Sequence, residues 1–243
     1  MKYHNSKSQY SLLGSSCALV ALVFVTISFC TPYWLVSDGL NLTGRKFRRL
    51  GLWEACFDNF FDDHYRYDYE FSGCRWIFHR EFRIIRHLLE PPFFVATQTL
   101  FTIGFTLLLA GSLALLAIHL CAPAELELRL TQLTALLLLV SAVFNSIAVI
   151  VFGALGDGRD WMPDPDHNYL SWSFVLGVIG TLVEYFAGVL LILDGKQLRK
   201  EIVAAGGAAA VDEHNKGFQM QSQLPPQRAA PQGHHGPQIT TIA

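Results

Sequence analysis

Charge is what this 243-residue chain has least of: 16% of its residues are Asp, Glu, Lys or Arg, against roughly a quarter in an ordinary soluble domain. A net charge of −2 leaves no global basic field, which excludes nucleic-acid recognition by phosphate neutralisation. No Ser, Cys or His stands in a nucleophile motif, and neither a phosphate-cradling Gly loop nor a paired intramembrane acid is present, so the chain does not read as an enzyme. His64, His79 and His87 lack metal-ligand spacing, and Asp157, Asp160, Asp164 and Asp166 lack the Gly and bidentate Glu of a calcium loop. Neither a metal nor a cofactor is expected.

Apolar residues are abundant instead, 51% of the chain with a mean hydropathy of +0.31. Residues 8–37, 91–124 and 130–156 form uncharged runs of 30, 34 and 27 residues. Each exceeds the roughly 20 residues that cross a hydrocarbon core. A fourth apolar stretch, 170–193, is interrupted only by Glu184. These runs predict four transmembrane helices over about 12–34, 93–121, 130–155 and 170–193, with extracellular loops 35–92 and 156–169. Lys2, Lys7 and the small residues near Cys30 also fit a cleaved signal peptide, but the run is long for one. It continues into Pro32-Tyr33-Trp34, whose aromatics suit a membrane interface, so an uncleaved span is preferred.

Lys2 and Lys7 before the first span, and Lys196, Arg199 and Lys200 after the fourth, place both termini in the cytoplasm. The long loop holds nine Lys/Arg, which argues the other way, but it also holds nine Asp/Glu, and long loops translocate with little regard to charge. Cys56 and Cys74 are the two cysteines of that loop and are expected to be disulfide-bonded outside the cell. Asn41-Leu42-Thr43 is an N-glycosylation acceptor on the same side, and Cys121, at the inner end of the second span, is a palmitoylation candidate.

The run Tyr65-Arg66-Tyr67-Asp68-Tyr69-Glu70-Phe71 alternates aromatic and charged residues as a half-buried strand does. With Cys56 and Cys74 it predicts a stapled hairpin whose turn falls within residues 58–64. Phe78, Phe82, Ile85 and Leu89 mark one face of a short amphipathic helix that Pro91-Pro92 stops. Gly177 and Gly180 permit close helix packing in the fourth span. Residues 204–243, rich in Gly, Ala, Gln and Pro without apolar periodicity, read as a disordered cytoplasmic tail after a membrane domain of residues 1–203.

Trp34, Gly51-Leu52-Trp53, Cys56 and Cys74, set in the first extracellular loop of a four-span chain, resemble the W-GLW-C-C signature of the claudin and peripheral myelin protein superfamily. Tyr169-Leu170-Ser171-Trp172 resembles the start of a claudin fourth span. The run Glu90-Pro91-Pro92-Phe93-Phe94-Val95-Ala96-Thr97-Gln98 resembles the corresponding junction of insect claudin-like septate-junction proteins. Residues 57–73 separate the two cysteines, a longer hairpin than vertebrate claudins carry, and the ending Thr240-Thr241-Ile242-Ala243 lacks their Tyr-Val terminus. Ala243 fills a PDZ pocket poorly, so a cytoplasmic scaffold partner is weakly supported.

The resemblance implies an all-α bundle of four transmembrane helices capped by a small extracellular antiparallel sheet built from both loops, with Trp34 and Trp53 anchoring the sheet. It implies a structural and adhesive component of a septate-type epithelial junction that contributes to the paracellular barrier. Its partners would be other claudin-like proteins, in cis and in trans. The same superfamily also includes channel auxiliary subunits of the calcium-channel gamma type and trafficking or myelin-like tetraspans, which stand as alternatives. Glu184, near the middle of its span, reads either as a conducting site or as a neutral carboxyl hydrogen-bonded to a facing polar side chain among Asn145, Ser146, Thr99 and Thr102.

Overall fold

A computed structural model describes residues 8–40, 46–61, 70–121, 124–158 and 161–222. Five helices and five strands follow in chain order: α1 (Gln9–Cys30), β1 (Leu35–Ser37), β2 (Lys46–Leu50), β3 (Glu54–Phe60), β4 (Phe71–Trp76), α2 (Arg86–Leu89), α3 (Pro92–Cys121), α4 (Ala124–Leu155), β5 (Asn168–Leu170) and α5 (Trp172–Ser222). Among the described residues four helical segments are long and apolar enough to cross a membrane: Gln9–Cys30, Pro92–Leu120, Leu126–Leu155 and Trp172–Ala204. Their outward faces carry Leu12, Ile150 and Phe186, each about two-thirds exposed, a surface suited to lipid rather than water.

Side-chain pairs set an up-down-up-down order. Phe29 meets Phe105 and Ser15 meets His119 between α1 and α3, and Leu138 meets Gly111 between α3 and α4. Leu139 meets Gly188 between α4 and α5, and Val25 meets Gly180 between α5 and α1. A second contact in each remaining pair, Ser141 with Gly104, Asn145 with Glu184 and Ser28 with Gly177, shows the residue numbers running in opposite senses, so neighbouring helices are antiparallel and the ring closes. The seam of α1 is built from small residues at alternating spacings of four and three, Gly14, Ala18, Ala21, Val25 and Ser28. A methyl group on Gly177 or Gly180 would lie 2.7 Å from Ser28 Oγ or 2.8 Å from Val25 Cγ2, so these glycines let α1 and α5 touch as expected.

The sheet has the order β4-β3-β2-β1-β5, every pair antiparallel. Its first four strands come from the loop before α3 and its fifth from the loop before α5, so both loops build one sheet, as the resemblance implied.

Local boundaries differ from the sequence reading. The first span ends at Cys30, not at Trp34, because Pro32 forces Thr31 into an extended conformation (φ −102°, ψ 141°). Helix α4 starts at Ala124, before its uncharged run, because Glu125, Glu127 and Arg129 are good helix formers beyond the apolar core. Asp58 and Asn59, expected in the turn, belong to β3, where Asn59 (φ 49°) marks a register shift and Ser72 holds it with two hydrogen bonds. Of the alternating run, Phe71 opens β4; residues 65–69 lie outside the described residues. The amphipathic helix is split into a 3-10 turn, Arg80–Arg83, and the single turn α2; Phe82, Ile85 and Leu89 are buried but Phe78 is exposed.

The chain divides into two compact units, residues 1–199 with the bundle and sheet, and residues 200–243. The expected tail reading differs here too. Helix continues to Ser222, across Ala-rich sequence whose intrinsic helix propensity outweighs its lack of apolar periodicity.

Candidate functional site: the sheet and its anchor on the bundle

Trp34 joins sheet and bundle. Its backbone N–H donates to Leu50 O (2.8 Å) and its carbonyl accepts from Ser171 N (2.9 Å), tying β2 to the start of α5. Its side chain is fully buried. The indole N–H donates to Ser28 O of α1 (2.8 Å), and the ring stands edge-on to Phe101 of α3 (5.2 Å), Phe152 of α4 (4.9 Å) and Phe174 of α5 (5.6 Å). One side chain therefore touches all four spans, in the edge-to-face geometry aromatic rings prefer.

The Gly51-Leu52-Trp53 turn rests on the same end of the bundle. A Cβ on Gly51 would lie 2.5 Å from Pro32 Cα and 2.6 Å from Thr31 O, backbone atoms that cannot move aside, so only glycine fits there. Leu52 is fully buried, and its carbonyl accepts from the buried Gln98 side chain of α3 (2.6 Å). Trp53 lies on Phe29 of α1 (5.4 Å) and is covered by Phe78 (6.4 Å).

Cys56 and Cys74 face each other on β3 and β4 and are disulfide-bonded. Arg49 of β2 packs along the bond, with Nε 3.2 Å from Cys56 Sγ and Nη2 3.4 Å from Cys74 Sγ. Its guanidinium also donates to the Tyr33 hydroxyl and sits 4.7 Å from that ring's centroid. Tyr33, Arg48, Arg49 and the disulfide line a cleft of about 420 Å³. Glu54 is close to both sulfurs, but each is committed to the other and offers no thiolate to a metal.

The two loops are latched at their far ends. Asp38 N donates to His167 O (2.9 Å), and His167 Nδ1 lies 2.9 Å from Asp38 Oδ2. The Leu40 N–H, then the His167 ring, hold the Asp38 carboxyl below its ordinary value; the hydrogen bond with Asp38, then its charge, raises His167.

Glu184 is fully buried between helices, and Asn145 Nδ2 of α4 donates to its Oε2 at 3.0 Å. Asn145 is thus one of the four partners expected. Ser146 instead meets the Tyr185 hydroxyl, and Thr99 and Thr102 donate to carbonyls of their own helix. Asn41 lies outside the described residues, as does the Cys121 side chain at the end of α3.

The signature residues Trp34, Gly51, Leu52 and Trp53 and the cysteine pair are thus gathered at one end of the bundle. Over residues 19–193 the sequence matches the family described as PMP-22/EMP/MP20/claudin tight junction. The chain belongs to that family. It is an integral membrane protein of four spans, and nothing in family membership points to catalysis. No curated protein matches it.

Arg49 and the Asp38–His167 latch carry no signal in the sequence reading, and Gln98 entered it only as the end of the Glu90–Gln98 run, without its role at Leu52. Arg49 stands two residues before the Gly51-Leu52-Trp53 turn, a position that puts it on the strand beside the cysteines. Asp38 and His167 are 129 residues apart and carry no local signal.

Proposed function

We propose that this member of the claudin and peripheral myelin protein family is a structural and adhesive component of a septate-type epithelial junction, contributing to the paracellular barrier. The observation that carries the reading is Trp34. By contacting all four spans, donating its N–H to β2 and accepting at its carbonyl from Ser171 between β5 and α5, it makes the sheet a rigid extension of the bundle. A surface held that firmly above a membrane suits repeated contact with neighbours, in cis within one membrane and in trans across the gap.

Among the described residues the sheet ends at β4 and β5, and exposed Tyr169 and Trp172 stand at the second edge. Unpaired strand edges and exposed aromatics are surfaces on which protein partners dock. The loops face outward in this reading, with both termini cytoplasmic, consistent with Lys196, Arg199 and Lys200 after the last apolar stretch. A disulfide between β3 and β4 fits an oxidising exterior.

Localisation tests the proposal. A tagged copy in polarised epithelium is expected to concentrate along lateral cell contacts. Co-distribution with an ion channel, away from those contacts, would favour an auxiliary-subunit role, and retention in intracellular compartments a trafficking role.

A further inference from the structure

The segment between β4 and α3 gathers positive charge beside the membrane. Residues 75–90 carry Arg75, Arg80, Arg83 and Arg86 against Glu81 and Glu90. Arg75 is paired with Glu81, and Arg86 with Glu90 at 2.6 Å. Arg80 and Arg83 have no ion pair among the described residues. Both are exposed, whereas Phe82, Ile85 and Leu89 turn inward. Arg80, Arg83 and Arg86, with His79, Phe78 and Phe82, line a cleft of about 280 Å³.

A chain of ring contacts ties this cleft to the end of a span. Phe29 is in the last turn of the α1 span; Trp53 rests on Phe29 at 5.4 Å, Phe78 on Trp53 at 6.4 Å, and Trp76 on Phe78 at 5.3 Å. Trp76 and Phe78 are nevertheless 58% and 46% exposed. Exposed aromatic rings at the end of a span belong to the membrane interface. Headgroup phosphates lie just outside such a ring belt, and guanidinium groups bind phosphate through paired N–H donors.

We propose that Arg80 and Arg83, flanked by the exposed rings of Trp76 and Phe78, form a binding site for the phosphate of a phospholipid headgroup in the leaflet on the sheet side. The rings take the glycerol and upper acyl region, and the arginines take the phosphate. The bound lipid then fixes the segment against the bilayer at the foot of the sheet. This rests on membrane embedding alone and holds whether or not the protein works at a junction.

The full chain, purified in detergent with its disulfide intact, is titrated with phosphatidylglycerol, and native mass spectrometry reads the bound lipid. Saturable binding is expected, weakened about 25-fold in R80Q/R83Q, since each basic side chain at a membrane surface contributes about fivefold. R48Q, which removes a charge that sits on Asp58 at 2.8 Å in the sheet, is expected to bind as the unaltered chain does. R83Q alone, expected to bind about fivefold more weakly, serves if the double variant does not fold. Lipid binding unchanged in R80Q/R83Q, or in R83Q, would overturn the proposal. So would displacement of the lipid by an equal concentration of inorganic phosphate, which would make this a free-anion site.

Discussion

At the scale of single residues, the polar groups buried in the bundle decide what the membrane part can do. Glu184 and Asn145 share a hydrogen bond across α4 and α5, in a seam that also buries Ser141 and Thr181 among Ala, Leu and Phe side chains. That is the arrangement of a register-fixing pair. Glu184→Gln keeps an acceptor for Asn145 Nδ2 and is expected to leave membrane delivery and tracer flux unchanged. Glu184→Leu strands a buried amide and is expected to lower stability in detergent by about 1 kcal/mol, read as a lower thermal midpoint. Normal delivery of Glu184→Gln with altered ion flux would instead mark a conducting site. The Asp38–His167 latch predicts a pH dependence. The raised His167 contributes stability fully below its ordinary value of 6.5 and loses it as pH rises through the folded value. The lowered Asp38 contributes above its ordinary 3.8 and loses it as pH falls through its own folded value. Their joint contribution is therefore greatest between those two ordinary values. Thermal melts near pH 5.5 and pH 8 are expected to show that His167→Gln removes a stability advantage at the lower pH; an unchanged pH profile would show the latch to be energetically silent.

At the scale of elements, the hairpin of β3 and β4 depends on its staple. Six of the seven residues of β3 are buried or half-buried, yet Ser72, Gly73 and Cys74 on β4 are exposed, so β4 has little core of its own. Closing a loop of this length contributes roughly 3 kcal/mol in the chain-entropy account. Replacing Cys56 or Cys74 with Ser is expected to prevent surface delivery, checked by surface biotinylation; normal delivery would show that β4 holds without it. The cysteine pair was readable because these two lie in one extramembrane loop, and the four spans were readable because uncharged runs of this length have few other uses. Boundaries were not readable from charge alone. Pro32 stops α1 four residues early, and the charged start of α4 continues the helix beyond its apolar run. The contribution of β5 to the sheet came from resemblance, since three residues carry no period of their own. The helix past Ala204 follows Ala-rich propensity, which leaves no apolar stripe in the sequence.

At the scale of the whole molecule, the four spans and the sheet are tied together by contacts that converge on Trp34. α1, α3, α4 and α5 each present an aromatic ring or a backbone carbonyl to it, and Gly51 lets the second turn of the sheet close against Pro32. This convergence is what the signature residues are for. Their role was legible as a family resemblance, but the contact of one indole with every span was not, because Phe101, Phe152 and Phe174 are ordinary apolar residues within apolar runs. The proposed role of the rigidly mounted sheet is to help seal the space between cells. Tracer flux across a polarised epithelium tests it most directly, compared before removal of the protein, after removal, and after its return. Flux is expected to rise on removal and to return to its starting level with the unaltered chain but not with Cys56→Ser. Flux that stays unchanged on removal would contradict it.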